Sequence, residues 1–162
     1  MISVLTCRIE FQCRDVTISN DLRLGQQLCF SLYAATNAIT RVYRAPLARL
    51  GLTYPQYLVV LVLLEGGSHT VKSLADTLDL DSSTLTPLLR RLDAAGFVSR
   101  ERDLDDQRAV SIRLTPAGQA LRRPIAAVRR EVGCRTELSD AALDGLRRQL
   151  HALSAALVRP RP

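Results

Sequence analysis

A chain of 162 residues carries one domain's worth of sequence, long enough to bury a real core, and no apolar run approaches the roughly 20 residues of a membrane span. Hydrophobic residues make up 47% and aromatics only 4%, with Leu and Ala dominant, which favours helices over a sheet sandwich. The net charge is +6 and Lys72 is the only lysine, so the positive charge is arginine, whose planar fork pairs with two phosphate oxygens at once.

Residues 1–21 alternate briefly at Ile9, Phe11 and Cys13 and then lose their pattern, so they read as a non-core extension. The start lacks an apolar stretch of the secretory kind, and the expected location is the cytoplasm, where thiols begin reduced. From Leu24 to Leu50 the apolar residues Leu28, Leu32, Ala35, Ile39, Val42 and Leu47 recur at helical spacing, with a bend or restart expected at Pro46. Gly51 breaks the pattern. Thr53 then caps a new helix with Pro55 in its first turn and Tyr57 to Leu64 as its body, and Gly66-Gly67 stops it.

Two short helical patterns follow. Val71, Leu74, Ala75 and Leu78 share one face of the first; Asp81-Ser82-Ser83 caps the second, which turns Leu85, Leu88, Leu89 and Leu92 inward. After Gly96, Phe97 to Arg100 and Val110 to Leu114 alternate apolar and polar residues around a charged tip, the pattern of a β-hairpin. Thr115-Pro116 starts another helix. From Ser139 to Leu157 the leucines 143, 146, 150, 153 and 157 form a stripe that needs a partner, and a second copy of the chain supplies one. The expected fold is mainly α with a small hairpin wing: residues 51–115 as a winged helix-turn-helix, and 22–50 with 116–160 as a helical dimerisation region.

A helix-turn-helix followed by a hairpin places its second helix in the major groove of double-stranded DNA. The exposed positions of that helix are Ser82, Ser83, Thr84, Thr86, Arg90 and Arg91: hydroxyls near the N-terminus for close approach, arginines for phosphates or a guanine edge. The tip, Arg100 to Arg108, has two readings. It is either a solvated loop of mutually paired charges, or a wing in which Asp106 anchors the turn and Arg108 enters the minor groove.

Cys29 lies four residues before Tyr33 in a helical pattern of small and apolar residues, a setting in which phenol hydroxyls control a thiol. The four cysteines show no CxxC pair and no histidine cluster, so no metal is expected and no cofactor is implied. A lone cysteine in an apolar helix is otherwise an inert small hydrophobe. Tyr57 reads as either core or pocket.

Several of these segments, in order, resemble one family. Asp106-Gln-Arg108 followed by Leu114-Thr-Pro-Ala-Gly118 resembles the wing signature of the MarR family of dimeric regulators. Leu28-Cys29-Phe30, Leu52-Thr53-Tyr54-Pro55-Gln56-Tyr57 and the run Asp81 to Leu92 are similar to its OhrR branch. Ser83 departs from the glycine usual there. The resemblance implies a homodimeric repressor that binds an inverted-repeat operator and is not an enzyme. It further implies that Cys29 senses organic hydroperoxides, with two tyrosines at positions matching Tyr43 and Tyr54 on its thiolate, one from each chain, and Tyr33 as a further pocket candidate. Cys134 matches the resolving cysteine of the two-cysteine subgroup, which bonds the first cysteine of the other subunit. The alternatives are a regulator released by a small phenolic ligand, and a thiol peroxidase, in which the wing would have no purpose.

Overall fold

A computed structural model describes residues 22–102 and 110–158. The chain divides into two units, Met1–Thr36 and Asn37–Pro162; helix α1 (Leu28–Ala48) begins in the first and ends in the second. In the first unit a 3-10 turn at Leu24–Gln26 leads into the exposed opening turns of α1, where only Phe30 and Leu32 are half-buried.

In the second unit α1 continues through Pro46, which is buried, and closes at Ala48. Of the bend or restart expected near Pro46, the restart is not found, because the helix is continuous there. The proline sits in the last turn, where it removes a single backbone hydrogen bond, and the chain reverses only at Gly51, whose φ of 70° suits a glycine. Helix α2 (Tyr54–Gly66) starts where the Gln56 side chain folds back over Thr53: the Thr53 N–H donates to Gln56 Oε1 at 2.8 Å, and the Thr53 hydroxyl to the same oxygen at 3.0 Å. Pro55 occupies a position whose N–H has no helical partner in any case. Tyr57, Val59, Val60 and Leu63 are buried, so α2 is the central rod of the core.

The winged unit follows as β1 (His69–Thr70), α3 (Val71–Leu78), α4 (Ser82–Ala94), β2 (Val98–Arg102) and β3 (Val110–Leu114). Thr70 caps α3 by accepting from the Ser73 N–H at 3.1 Å. Leu74 and Ala75 of α3, Leu85, Leu89 and Leu92 of α4, and Val98, Ile112 and Leu114 of the strands belong to one core with α2. The sheet is antiparallel in the order β1-β3-β2, with His69 opposite Ile112 and Val98 opposite Leu114. The hairpin therefore has a third strand that periodicity does not reveal: two residues are too few to alternate, and β1 is a strand only through its pairing with β3.

The helix expected from Pro116 is two. Helix α5 (Pro116–Ala120) is capped by Thr115, which accepts from the Gly118 N–H at 3.1 Å, and α6 (Arg122–Cys134) follows after Leu121. Helix α7 (Asp140–Val158) buries no residue, and Leu146, Leu150 and Leu157 stand exposed. No helix among the described residues is long and apolar enough to cross a membrane.

Candidate nucleic-acid interface and thiol site

The core leucines of α4 fix which of its residues face outward. Ser82, Ser83 and Thr84 in its first turn are exposed, as are Arg90 and Arg91 two turns on. Neither arginine makes an ion pair with another described residue, so both guanidiniums are available to an anion. Thr86 is half-buried and its hydroxyl donates to the Ser82 carbonyl at 2.8 Å, which spends it on its own helix. The outward row is therefore three hydroxyls at the positive end of the helix dipole and two arginines further along.

The wing is held against this helix by polar links. Arg100 Nε meets Asp93 Oδ2 at 3.3 Å, joining β2 to the end of α4, and Arg113 Nη1 meets Glu101 Oε2 at 3.1 Å between β3 and β2. All four side chains are partly exposed, so each pair contributes at most about 1 kcal/mol and serves chiefly to set geometry. The hydroxyls of Ser68 and Ser111 are hydrogen-bonded, tying the approach to β1 onto β3. Asp106 and Arg108 lie outside the described residues.

The tyrosines assemble between α1 and α2. The turn at Gly51 brings the end of α1 back against the start of α2, so that the rings of Tyr43 and Tyr54 lie 5.3 Å apart between centroids. Tyr57, one turn further along α2, lies 5.3 Å from Tyr43 and 5.9 Å from Tyr54. Tyr43 and Tyr54 thus belong to one cluster within a single chain. Tyr57 is core and cluster at once, only 4% exposed. Its place was readable from its spacing of three after Tyr54, which puts both rings on one helical face.

Burial pushes the phenol of Tyr54 above its ordinary value, with the neighbouring Tyr43 adding to the rise. Tyr57 is raised further, first by burial and then by a hydrogen bond with Tyr43, against a smaller opposing pull from Arg129. Both phenols therefore stay protonated near neutral pH and can act as hydrogen-bond donors.

The two thiols among the described residues, those of Cys29 and Cys134, are free and exposed. Cys29 is in the first turn of α1, and Tyr33, one turn later, is 65% exposed. Cys134 is the last residue of α6 and lines an open groove of about 1190 Å³ that also takes in Tyr43, Arg129, Arg130 and Arg147. Among the described residues no group of His, Cys, Asp or Glu is placed to hold a metal.

Residues 41–124 match the family described as transcriptional regulator SarA/Rot. The chain is 46% identical over 144 residues to the HTH-type transcriptional regulator TtmR of Methylorubrum extorquens, across 85% of this chain and 74% of that one. It is 45% identical over 101 residues to the organic hydroperoxide resistance transcriptional regulator of Bacillus subtilis, covering 62% and 69% of the two chains. Among solved structures, reduced AbfR bound to DNA superposes with a TM-score of 0.71 at 36% identity, covering 83% of this chain and 92% of that one. The AbfR protein, from Staphylococcus epidermidis, has also been solved in a disulfide-formed state, with a TM-score of 0.59 at 37% identity over 81% and 92% of the chains.

Proposed function

Since the chain belongs to the MarR family of winged-helix transcriptional regulators, of the SarA/Rot type, we propose that it is a homodimeric repressor switched off by organic hydroperoxides through Cys29. The observation that carries this reading is the cluster of Tyr43, Tyr54 and Tyr57, in which two phenols are held protonated and can donate hydrogen bonds to a thiolate. Thirteen residues of one helix lie between Cys29 and Tyr43, so the thiol of one subunit is assigned to the phenols of the other. Phenol hydroxyls that donate to a thiolate favour the charged form, and the thiolate is the form that attacks peroxide.

The sulfur bonds the terminal peroxide oxygen, the O–O bond breaks, and the organic fragment leaves as an alcohol after taking up a proton. Cys29 is then a sulfenic acid, oxidised by two electrons. Condensation with the thiol of the partner subunit's Cys134 forms a disulfide and releases water. Disulfides need Cα atoms within about 7 Å, so closure biases the dimer toward a second conformation in which the two α4 helices no longer match the half-sites of an inverted repeat. Support comes from the exposed thiols of Cys29 and Cys134 and from the relatives, one named for organic hydroperoxide resistance and one solved both on DNA and with a disulfide.

The test is operator binding by the Cys29→Ser variant. It binds operator as the unaltered protein does and is not released by cumene hydroperoxide; release of that variant by the oxidant contradicts the mechanism. The large groove beside Cys134, floored by Ile125 and Val132 and rimmed by arginines, favours a second reading in which a small phenolic ligand releases DNA. That reading is separated by blocking every thiol, which leaves ligand-driven release intact and abolishes peroxide-driven release.

A further inference from the structure

We propose that Pro87 is a sequence-reading residue: its ring packs against the 5-methyl group of a thymine in the major groove and so fixes one A·T pair in each half-site. The proposal concerns the DNA-reading face and stands whether or not Cys29 senses peroxide. Pro87 is the sixth residue of α4, beyond the first turn, in which a proline costs the helix little. At this position it withholds the N–H that the Ser83 carbonyl would otherwise accept, and its ring crowds that carbonyl. Burial does not offset this cost, because Pro87 is exposed.

The direction of the ring supplies the reason. At about 3.6 residues per turn, Pro87 points away from the buried stripe of Leu85, Leu89 and Leu92 and shares the outermost row of α4 with Ser83, Arg90 and Ala94. All four are exposed. Ser83 and Ala94 are small, so this row lets the helix backbone approach the groove floor closely, while the longer Arg90 turns to a phosphate or a guanine edge. Thr86, beside Pro87, is half-buried and its hydroxyl is held by the Ser82 carbonyl, so it does not compete for the same base.

The base edges select the partner. In the major groove adenine, guanine and cytosine present hydrogen-bond donors and acceptors, and thymine alone adds a methyl group. A proline ring has neither donor nor acceptor, so over any other base it would leave polar groups unpaired. The ring is also rigid and loses no rotamer freedom on contact. Burying one methyl favours thymine by about fourfold at one half-site, hence by about fifteenfold across the two half-sites of a dimer.

The experiment uses the reduced full-length protein and a duplex carrying the preferred site recovered from a randomised library, with binding followed by fluorescence anisotropy. Each thymine is replaced by deoxyuridine in both half-sites together, which removes the methyl and keeps the base pair. One of these replacements weakens binding by about fifteenfold. Pro87→Ser removes the ring and raises helix propensity, so the fold is retained, and a thermal melt verifies it. In this variant the sensitive deoxyuridine duplex binds as well as its thymine counterpart. The effect of deoxyuridine at every other thymine, and the slope of log affinity against log salt, stay as in the unaltered protein. The proposal is overturned if no thymine responds to loss of its methyl, or if the response persists undiminished in Pro87→Ser. Weakening of Pro87→Ser by one common factor on every duplex, with the deoxyuridine response intact, also overturns it, since the proline then serves only the shape of the helix.

Discussion

At Gly118 the chain has no room for a methyl group. A Cβ there would overlap the carbonyl oxygen of Phe97 and come within 2.9 Å of Leu114 Cδ2. The oxygen cannot easily move away, because it accepts the Thr115 N–H at 3.1 Å at the junction of wing and α5. Gly118→Ala is therefore expected to destabilise the fold by about 1–3 kcal/mol, the cost of overpacking a close contact, and a thermal melt measures it. An unchanged melting temperature would show that the junction relaxes. The glycine of the Leu114-Thr-Pro-Ala-Gly118 segment is thus there for close packing and not for a turn. The tyrosines give a second prediction. In the unfolded chain phenols titrate near 10, and Tyr54 and Tyr57 hold their protons above that in the fold. Their contribution to stability is full below pH 10 and is lost as pH rises past it, because the unfolded chain then releases protons that the folded one keeps. Urea midpoints should fall above pH 10, and Tyr57→Phe should remove the latest step of the phenolate absorbance titration.

Among the elements, α4 carries the interface in the most direct form: a buried leucine stripe behind, hydroxyls and two arginines in front. Arg90→Ala and Arg91→Ala should each weaken operator binding and lower the slope of log affinity against log salt by about 1 if the residue meets a phosphate. A variant that loses affinity for one sequence only, with an unchanged slope, would place that arginine on a base edge. Much of this was legible in the sequence, because the stripe of Leu85, Leu89 and Leu92 and the caps at Thr53 and Thr115 are local signals that the packing obeys. What was not legible depends on pairing at a distance. The strand at His69–Thr70 exists only against β3, and the continuity of α1 through Pro46 follows from the burial of its last turn. The contact of Tyr43 with Tyr54 within one chain arises from the reversal at Gly51, which spacing along the chain does not express.

For the molecule as a whole, the unpartnered parts point the same way. Helix α7 buries nothing, Cys29 and Cys134 stand exposed, and the arginines of α4 face outward without counter-charges among the described residues. A dimer in which the leucine stripe is covered, the phenols of one chain meet Cys29 of the other, and two α4 helices lie one helical turn of DNA apart would use all of them. The central claim is the covalent link between chains. Reduced full-length protein treated with one equivalent of cumene hydroperoxide should run as a covalent dimer on non-reducing electrophoresis. Peptide mass mapping should then show Cys29 joined to Cys134, and dithiothreitol should reverse both. Cys29 left as a free thiol under these conditions, or a dimer linked through any other pair, would contradict the account.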